Sequence, residues 1–242
     1  MPNHVTNVVK IIGEKEKVEE MLKAIQDDEC GRGTIDFNKI IPMPESLNII
    51  SGTQTDRGLE FYKSFVDVYT LMGTRKGLDL LNIPEESEKA FLKARTDIDA
   101  ETFELGKKAY KNILQYGSPD WYDWSIKNWG TKWNAYGFDE YTPKDVSGTD
   151  PTVTFQTAWS APHPILQKLS EMYPDIYFEH AWADENIGYN CGRKIYENGE
   201  CVQEYYPDGV EAYRFANEVW GFEDEDEEMC EETDEEIGEQ TL

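Results

Sequence analysis

The chain has 242 residues, of which 39% are hydrophobic and 13% aromatic, and its formal net charge is −26 at pH 7. This much apolar material can form a packed core, so the composition excludes a fully disordered chain. A net charge of this sign repels phosphate, which disfavours direct nucleic-acid binding, and no stretch approaches the ~20 apolar residues of a membrane-spanning helix. Residues 223–242 carry twelve acidic groups and no lysine or arginine, and they predict a disordered acidic tail.

The N-terminal part predicts a strand, a helix and a second strand. Residues 5–12 are rich in β-branched side chains, and apolar residues recur at helical spacing over residues 15–28. Residues 34–41 (TIDFNKII) alternate in the manner of a strand, which Pro42 would end because proline cannot donate to a ladder. The first unit is therefore predicted to be β-α-β.

Residues 55–117 change character and predict a helical insertion. Apolar side chains recur at helical spacing over residues 59–72, and residues 84–95 indicate a short second helix. A third helix follows Asp99, which is a favourable N-cap residue. Ser118 then has the sequence context of an N-cap for a further helix that ends near residue 128.

The C-terminal part predicts a second β-α-β unit with an added hairpin. Strands are expected over residues 152–159 and 176–183, with a helix between them that Ser160 caps. Asn198-Gly199 is a strong signal for a two-residue hairpin turn, and a last helix is expected over residues 209–220.

The cysteines of this hairpin are predicted to be reduced. A two-residue turn would place Tyr196 opposite Cys201 and Tyr206 opposite Cys191, so the two thiols are out of register for a disulfide. Reduced structural thiols fit a cytoplasmic protein.

The fold class that follows is α+β, a ferredoxin-like split β-α-β sheet with a helical insertion and an added C-terminal β-hairpin. The helices between strands must cover one face of the sheet, so a site is expected on the other. We expect a single domain over residues 1–222, made of a ferredoxin-like core at residues 3–50 and 118–206, a helical insertion at residues 55–117 and a terminal helix at residues 209–220.

Three motifs resemble the YubB-like proteins of plasmids and phages. They are IDFNKIIPMPES at residues 35–46, NWGTKWNA at residues 128–135 and FQTAWSAPHP at residues 155–164, in the order expected for that family. The resemblance implies a ferredoxin-like C-terminal part, an origin in a mobile genetic element and a location in the bacterial cytoplasm. It implies no biochemical activity, because none is established for the family.

The stretch NWGTKWNAYG at residues 128–137 has a structural interpretation. Gly130 would supply the left-handed position after a helix, Thr131 would begin a strand, and Trp129 and Trp133 would anchor the helix to the sheet. The TAWS-P junction, with Trp159 and with Pro162 in a first helical turn, belongs to the same structural motif.

The same stretch also has a functional interpretation. On the predicted strand, the polar side chains alternate with the tryptophans and project from the sheet as a recognition patch. The candidate binding residues are Lys132, Asn134, Tyr136, Asn38 and Gln156.

The sequence carries no common cofactor, nucleophile or metal signature, so we expect no cofactor, no metal site and no catalytic residue. His180 is interpreted as a satisfied core histidine rather than a zinc ligand with Cys191 and Cys201, because the spacing fits no usual zinc pattern. The expected open-face positions are polar or acidic rather than aromatic, which disfavours an RNA-binding sheet; they are Thr154, Gln156, Asp36, Asn38 and Glu179.

Three classes of function remain open. The first is a non-enzymatic module that binds a host or mobile-element protein, basic in charge, with an acidic DNA mimic or anti-defence factor as its sharper form. The second is a metal-assisted hydrolase or nucleotide-acting enzyme that uses clustered carboxylates. The third is an oligomeric scaffold paired through the edge of the hairpin.

Overall fold

The computed structural model describes residues 2–72, 79–138 and 151–222. The chain divides into two compact units, one of Met1–Ile41 with Trp129–Leu242 and one of Pro42–Asn128. The predicted acidic tail and most of the loop after residue 137 lie outside the described residues. No helix in the described ranges is both long enough and apolar enough to cross a membrane.

In the described part of the chain, four consecutive α-helices separate the first strand and helix from the remaining strands. The helices and strands, in chain order, are β1 (His4–Ile12), α1 (Lys15–Ile25), α2 (Thr53–Met72), α3 (Glu85–Ala94), α4 (Ala100–Tyr116), α5 (Trp121–Asn128), β2 (Thr152–Ala158), α6 (His163–Met172), β3 (Tyr177–Asp184), β4 (Cys191–Glu197), β5 (Glu200–Tyr205) and α7 (Gly209–Trp220).

The strands of the first unit form one five-stranded sheet in the order β2-β1-β3-β4-β5. Every neighbouring pair is antiparallel. Helix α6 joins β2 to β3 while β1 lies between them, which is a split β-α-β arrangement as predicted. Side chains along β2 and β3 alternate between buried and partly exposed positions, as the alternating sequence of these strands predicted.

Helix α6 packs on one face of this sheet, against β3, β4 and β5. Side chains that alternate along the strands fill the core on that face. Those that are almost fully buried are Val5, Val9, Ile11, Val153, Phe155, Phe178, His180, Trp182 and Tyr196.

The opposite face is only partly open, which corrects the expectation of a free sheet surface. Helix α7 packs across β1, β3 and β4 and buries a small apolar cluster of Ala183, Cys191, Ala212, Phe215 and Ala216. The last helix is amphipathic, so it needs an apolar surface to cover, and this face supplies one.

Residues 34–41 do not form the predicted strand. Phe37–Lys39 is a single turn of 3-10 helix, and the Asp36 carboxylate accepts the backbone N–H of Asn38 at 2.9 Å. Such a local side-chain bond offers the backbone an alternative to a sheet ladder. Asp36 and Asn38 therefore do not lie on the sheet, although Phe37 is buried as the alternation predicted.

The hairpin turn is where the sequence places it, but its register differs beyond the turn. Asn198 and Gly199 both have positive φ, 49° and 81°, as a type I′ turn requires. Tyr196 faces Cys201 as predicted, whereas a bulge then shifts the pairing so that Tyr205 faces Arg193. The expected pairing of Tyr206 with Cys191 is therefore wrong. Cys191 and Cys201 are free thiols.

The second unit is helical and has its own core. Asp99 caps α4 by accepting the N–H of Thr102 at 2.8 Å, as predicted. The following helix begins at Trp121 rather than beside Ser118, because the Asp120 carboxylate caps it through the N–H of Tyr122. The buried residues of the core are Tyr62, Phe65, Val66, Ile83, Ile98 and Phe103.

Candidate functional site

The tryptophan-rich stretch after residue 128 is irregular rather than a strand. Its one backbone pairing with the sheet among the described residues is an isolated bridge in which Tyr136 exchanges backbone hydrogen bonds with Gln156, at 3.0 and 2.7 Å. The predicted strand from Thr131 is therefore wrong, and side chains there do not alternate between two faces. The bridge still pairs with the outer edge of β2 at Gln156.

Trp129, Gly130 and Thr131 have structural roles. Trp129 is buried, and its indole N–H donates to the carbonyl of Ile41 at 2.9 Å. Gly130 has a φ of 79°, and a Cβ there would lie 2.7 Å from Pro164 Cδ, so both the backbone conformation and the space require glycine. The hydroxyl of Thr131 donates to the carbonyl of Ala158 at 2.8 Å.

The junction after β2 differs from the prediction in one respect. Ser160 does not cap α6; its hydroxyl donates to the carbonyl of Gly130 instead. Pro162 occupies the N-cap position, where the absence of an N–H has no cost. This junction and the stretch after residue 128 are thus joined by direct hydrogen bonds.

Two of the predicted structural tryptophans are instead partly exposed. Trp133 is 38% exposed and Trp159 is 43% exposed, so neither acts as a buried anchor. The Lys132 ammonium lies 4.9 Å from the ring centroid of Trp133 and 4.7 Å from that of Trp159, within the range of a cation–π interaction for both. We call Lys132, Trp133 and Trp159 the tryptophan–lysine cluster.

Trp159 has an unusual backbone conformation for a bulky side chain, with a φ of 73°. Its N–H donates to the carbonyl of Asn3 at 2.9 Å, and its carbonyl accepts from the Asn190 side-chain amide at 3.0 Å. A left-handed conformation costs a residue with a Cβ roughly 1–2 kcal/mol. Surrounding hydrogen bonds therefore hold Trp159 at the surface against its intrinsic preference.

Tyr136 extends the aromatic surface beside this cluster. Its ring lies edge-on to Trp133 with centroids 6.1 Å apart, and its hydroxyl is 2.8 Å from His4 Nδ1. Burial, with a smaller contribution from Glu185, raises the pKa of Tyr136 to about 12. The phenol thus stays neutral at physiological pH and is a hydrogen-bonding group rather than an anion.

The other predicted binding residues are distributed differently. Asn134 lies between two chain segments: its side-chain oxygen accepts the N–H of Phe37 at 2.8 Å, and its amide donates to Asp36 at 2.8 Å. Asn38 is exposed on the 3-10 turn. The Gln156 side chain lies close to the backbone of Gly137. The structure therefore brings Lys132 and Tyr136 into one surface with two tryptophans, and gives Asn134 a structural position.

We expect replacement of Asn134 by alanine to cost about 1–3 kcal/mol of folding free energy, because the N–H of Phe37 would lose its partner. Asn134→Asp should be at least as destabilising at pH 7, since two carboxylates would then face each other at Asp36. Urea titrations of both variants measure this, with Gln167→Ala on the exposed side of α6 as the control. If all three variants unfolded at the same urea concentration, this structural role would be wrong.

The described residues bring together no group of three or more side chains that could hold a metal ion. His180 Nε2 is 3.0 Å from Asn7 Oδ1 on the face that α6 covers. Cys191 belongs instead to the cluster under α7, on the other face, and Cys201 is exposed. The three residues weighed as a zinc set therefore do not converge.

Comparison with known proteins finds similarity in the C-terminal part of the chain. Residues 128–236 match the family model described as the ferredoxin-like domain in Api92-like protein. The crystal structure of a protein Api92 from Yersinia pseudotuberculosis is 11% identical, with 86% of this chain and 99% of that chain covered and a TM-score of 0.40. No curated protein matches the chain.

The family match confirms the predicted fold class, an α+β fold with a ferredoxin-like domain. It begins at residue 128, so β1 lies outside it, although β1 pairs with both β2 and β3 in the same sheet. The match thus supports the ferredoxin-like C-terminal part that the resemblance implied, and it includes the motifs at residues 128–135 and 155–164 but not the motif at residues 35–46. In residues 128–236 the chain is similar to the ferredoxin-like domain of Api92-like proteins, and no biochemical activity follows from that similarity.

Proposed function

We propose that this protein is a non-enzymatic binding module of the bacterial cytoplasm. It recognises another protein, which belongs either to the bacterial host or to the mobile element that encodes this chain. The observation that carries the proposal is the tryptophan–lysine cluster, in which two partly exposed indoles flank one ammonium. Tryptophan is among the residues that contribute most binding energy in protein interfaces.

The conformation of Trp159 supports a role in recognition. Strained residues that surrounding hydrogen bonds hold in place concentrate at functional sites. Here the strain keeps an indole partly in solvent, where it buries less apolar area than it would in the core. An interface that covers this ring on binding would recover that stabilisation.

The overall charge favours a basic partner. At −26 the chain attracts cationic surfaces over distances near the Debye length and repels anionic ones. A basic partner contributes arginines and lysines, whose cations stack well on indole faces. A host DNA-binding protein has such a surface, so action as a DNA mimic or anti-defence factor is the sharper form of this proposal.

The experiment is an affinity capture from bacterial lysate with the wild-type protein and a variant in which Trp159 is replaced by glycine and Trp133 by alanine. We expect the wild type to retain a basic protein that the variant releases, and added DNA to displace it if the DNA-mimic form is correct. Equal capture by both proteins would contradict the role of the cluster. Capture that DNA does not affect would remove the DNA-mimic form.

Replacement of Trp159 by glycine alone should cost less stability than replacement of the buried Trp129. Glycine adopts a φ of 73° freely, and this relief offsets part of the apolar burial and of the contact with Lys132 that are lost. By contrast, Trp129→Ala removes a buried indole and should cost about 3–5 kcal/mol. Chemical denaturation of the two variants measures the difference, and a large loss in the glycine variant would show that Trp159 serves the fold.

A further inference from the structure

Strand β5 is an exposed edge of the sheet. Among the described strands it pairs with β4 alone, and all six of its residues are exposed. The opposite edge, β2, is paired with Tyr136 at Gln156. An uncovered edge presents a row of backbone N–H and carbonyl groups that another extended chain can pair with.

The sequence of β5, ECVQEY, has few of the features that block such pairing. It contains no proline and no lysine, which proteins commonly place on edge strands as protection. Val202 is 54% exposed and offers apolar area to an added strand. A bulge interrupts the pairing with β4 near Tyr196, but Arg193, Lys194 and Ile195 pair with β5 in regular register beyond it.

The charge of this edge selects the kind of strand that can join it. Glu200 lies directly opposite Glu197 across the hairpin, and like charges in that position are destabilising. Glu204 is exposed and lies opposite Lys194, whose ammonium is 3.7 Å from its carboxylate, and it also accepts from the Tyr206 hydroxyl at 3.4 Å. Two carboxylates on a single edge strand, one facing a third carboxylate, favour lysine or arginine on an incoming strand.

We propose that β5 binds an extended, basic segment of a partner protein, which adds to the sheet as a sixth strand. Backbone hydrogen bonds would supply the affinity, and cations facing Glu200 and Glu204 the specificity. A second copy of this chain is disfavoured as the occupant, because it would bring the same glutamates and a net charge of −26 against the edge.

This surface is distinct from the tryptophan–lysine cluster, and the proposal goes beyond the function proposed above. Trp159 follows β2 at the end of the sheet where Val5 pairs with Asp184. The hairpin turn, with Glu197 and Glu200, lies at the opposite end, where Ile12 pairs with Tyr177 and Phe178 pairs with Tyr196. The two surfaces can therefore be tested separately.

The probe is a synthetic peptide of lysine and valine, about as long as β5, with lysines on both faces of the strand, because Glu200 pairs with Glu197 and Glu204 with Lys194, on opposite faces of the sheet. We expect saturable binding that weakens with salt, together with slowed hydrogen exchange of the β5 amides. A peptide with glutamate in place of lysine should not bind, nor should the lysine peptide N-methylated at every residue, since methylation removes the N–H groups of both its edges. The variant altered at Trp133 and Trp159 should bind the peptide as the wild type does.

A charge-reversed variant supplies the matched test. Glu200→Lys with Glu204→Lys should weaken binding about tenfold or more, as expected for the loss of two charge pairs at the surface. The same change at Glu16 and Glu20, on the exposed side of α1, alters net charge equally and should have a much smaller effect. Equal affinity for the lysine and glutamate peptides, unchanged exchange in β5, or self-association that protects β5 without peptide would each overturn the proposal.

Discussion

Replacement of Gly106 by alanine should destabilise the helical unit by about 3 kcal/mol or more. Helices α2 and α4 cross at Gly58 and Gly106 with their backbones in contact. A Cβ on Gly106 would lie far inside contact distance of the carbonyl of Gly58, and would be 2.7 Å from the N of Leu59. Backbone atoms cannot move aside as a flexible side chain can, so the helices must separate, at the upper end of the cost of overpacking.

The separation would also disturb the aromatic core that these helices share. The Tyr62 ring on α2 lies 5.2 Å from the Phe103 ring on α4. Urea denaturation followed by circular dichroism measures the loss, and Lys108→Ala, at an exposed position of the same helix, is the control. If Gly106→Ala unfolded within about 0.5 kcal/mol of that control, the close crossing of α2 and α4 would be wrong.

The elements that the sequence predicts well are those whose periodicity agrees with their tertiary environment. Strands β2 and β3 alternate because one side of each packs on a helix-covered core, and the observed burial follows that alternation. The hairpin turn was predicted because Asn198 and Gly199 are residues that accept positive φ, which is a local property. The Asp99 cap is equally local.

The segments that were predicted wrongly are controlled by distant partners. Residues 34–41 alternate like a strand, but no strand in the described part of the chain pairs with them, and Asp36 and Asn134 accept their backbone N–H groups instead. The strand predicted after residue 128 does not form for the same reason, since among the described residues of that stretch only Tyr136 pairs with β2 through its backbone. Pairing of a strand with its neighbour is not a property of the strand's own sequence.

The candidate site was predicted only in part. Lys132 and Tyr136 were found because they are polar residues within an aromatic motif. Trp159 was predicted as part of the structural motif at the TAWS-P junction, and its left-handed conformation depends on Asn3 and Asn190, which are distant in the sequence. The TAWS motif marks the place, but its residues do not reveal the conformation.

A buried pair of histidines makes the stability of the sheet unit sensitive to acid. Asn7 donates its side-chain N–H to Thr157 Oγ1, so its side-chain oxygen accepts, and the proton of neutral His180 must lie on Nε2. His180 Nδ1 then carries a buried lone pair with no partner among the described residues. The His163 ring is 5.7 Å away, and its Nδ1 lies 3.0 Å from the Tyr196 hydroxyl oxygen.

We expect the free energy of unfolding to decrease as the pH falls from 7 to 5. Burial, reinforced by the positive charge of Lys194, lowers the pKa of His163 to about 4, and burial lowers the pKa of His180 well below its ordinary value. In the unfolded chain both histidines bind protons near pH 6.5, so the unfolded state holds more protons in this window and stability is lost as the pH drops. For His163 alone the loss by pH 5 is about 2 kcal/mol.

Urea titrations of the wild type between pH 7 and pH 5 measure this loss. This pH window lies above the range in which carboxylates with ordinary pKa values take up protons. His163→Gln removes one titrating group and should flatten the dependence on pH, whereas His4→Gln leaves both buried histidines in place and should retain it. A protonated His180 would have no hydrogen-bond acceptor at Nδ1, so protonation of this buried ring is costly in the folded state. The free energy of unfolding of His163→Gln should therefore still rise with pH, although less steeply than that of the wild type. Parallel curves for the wild type and His163→Gln would show that this histidine does not control the acid sensitivity of the sheet.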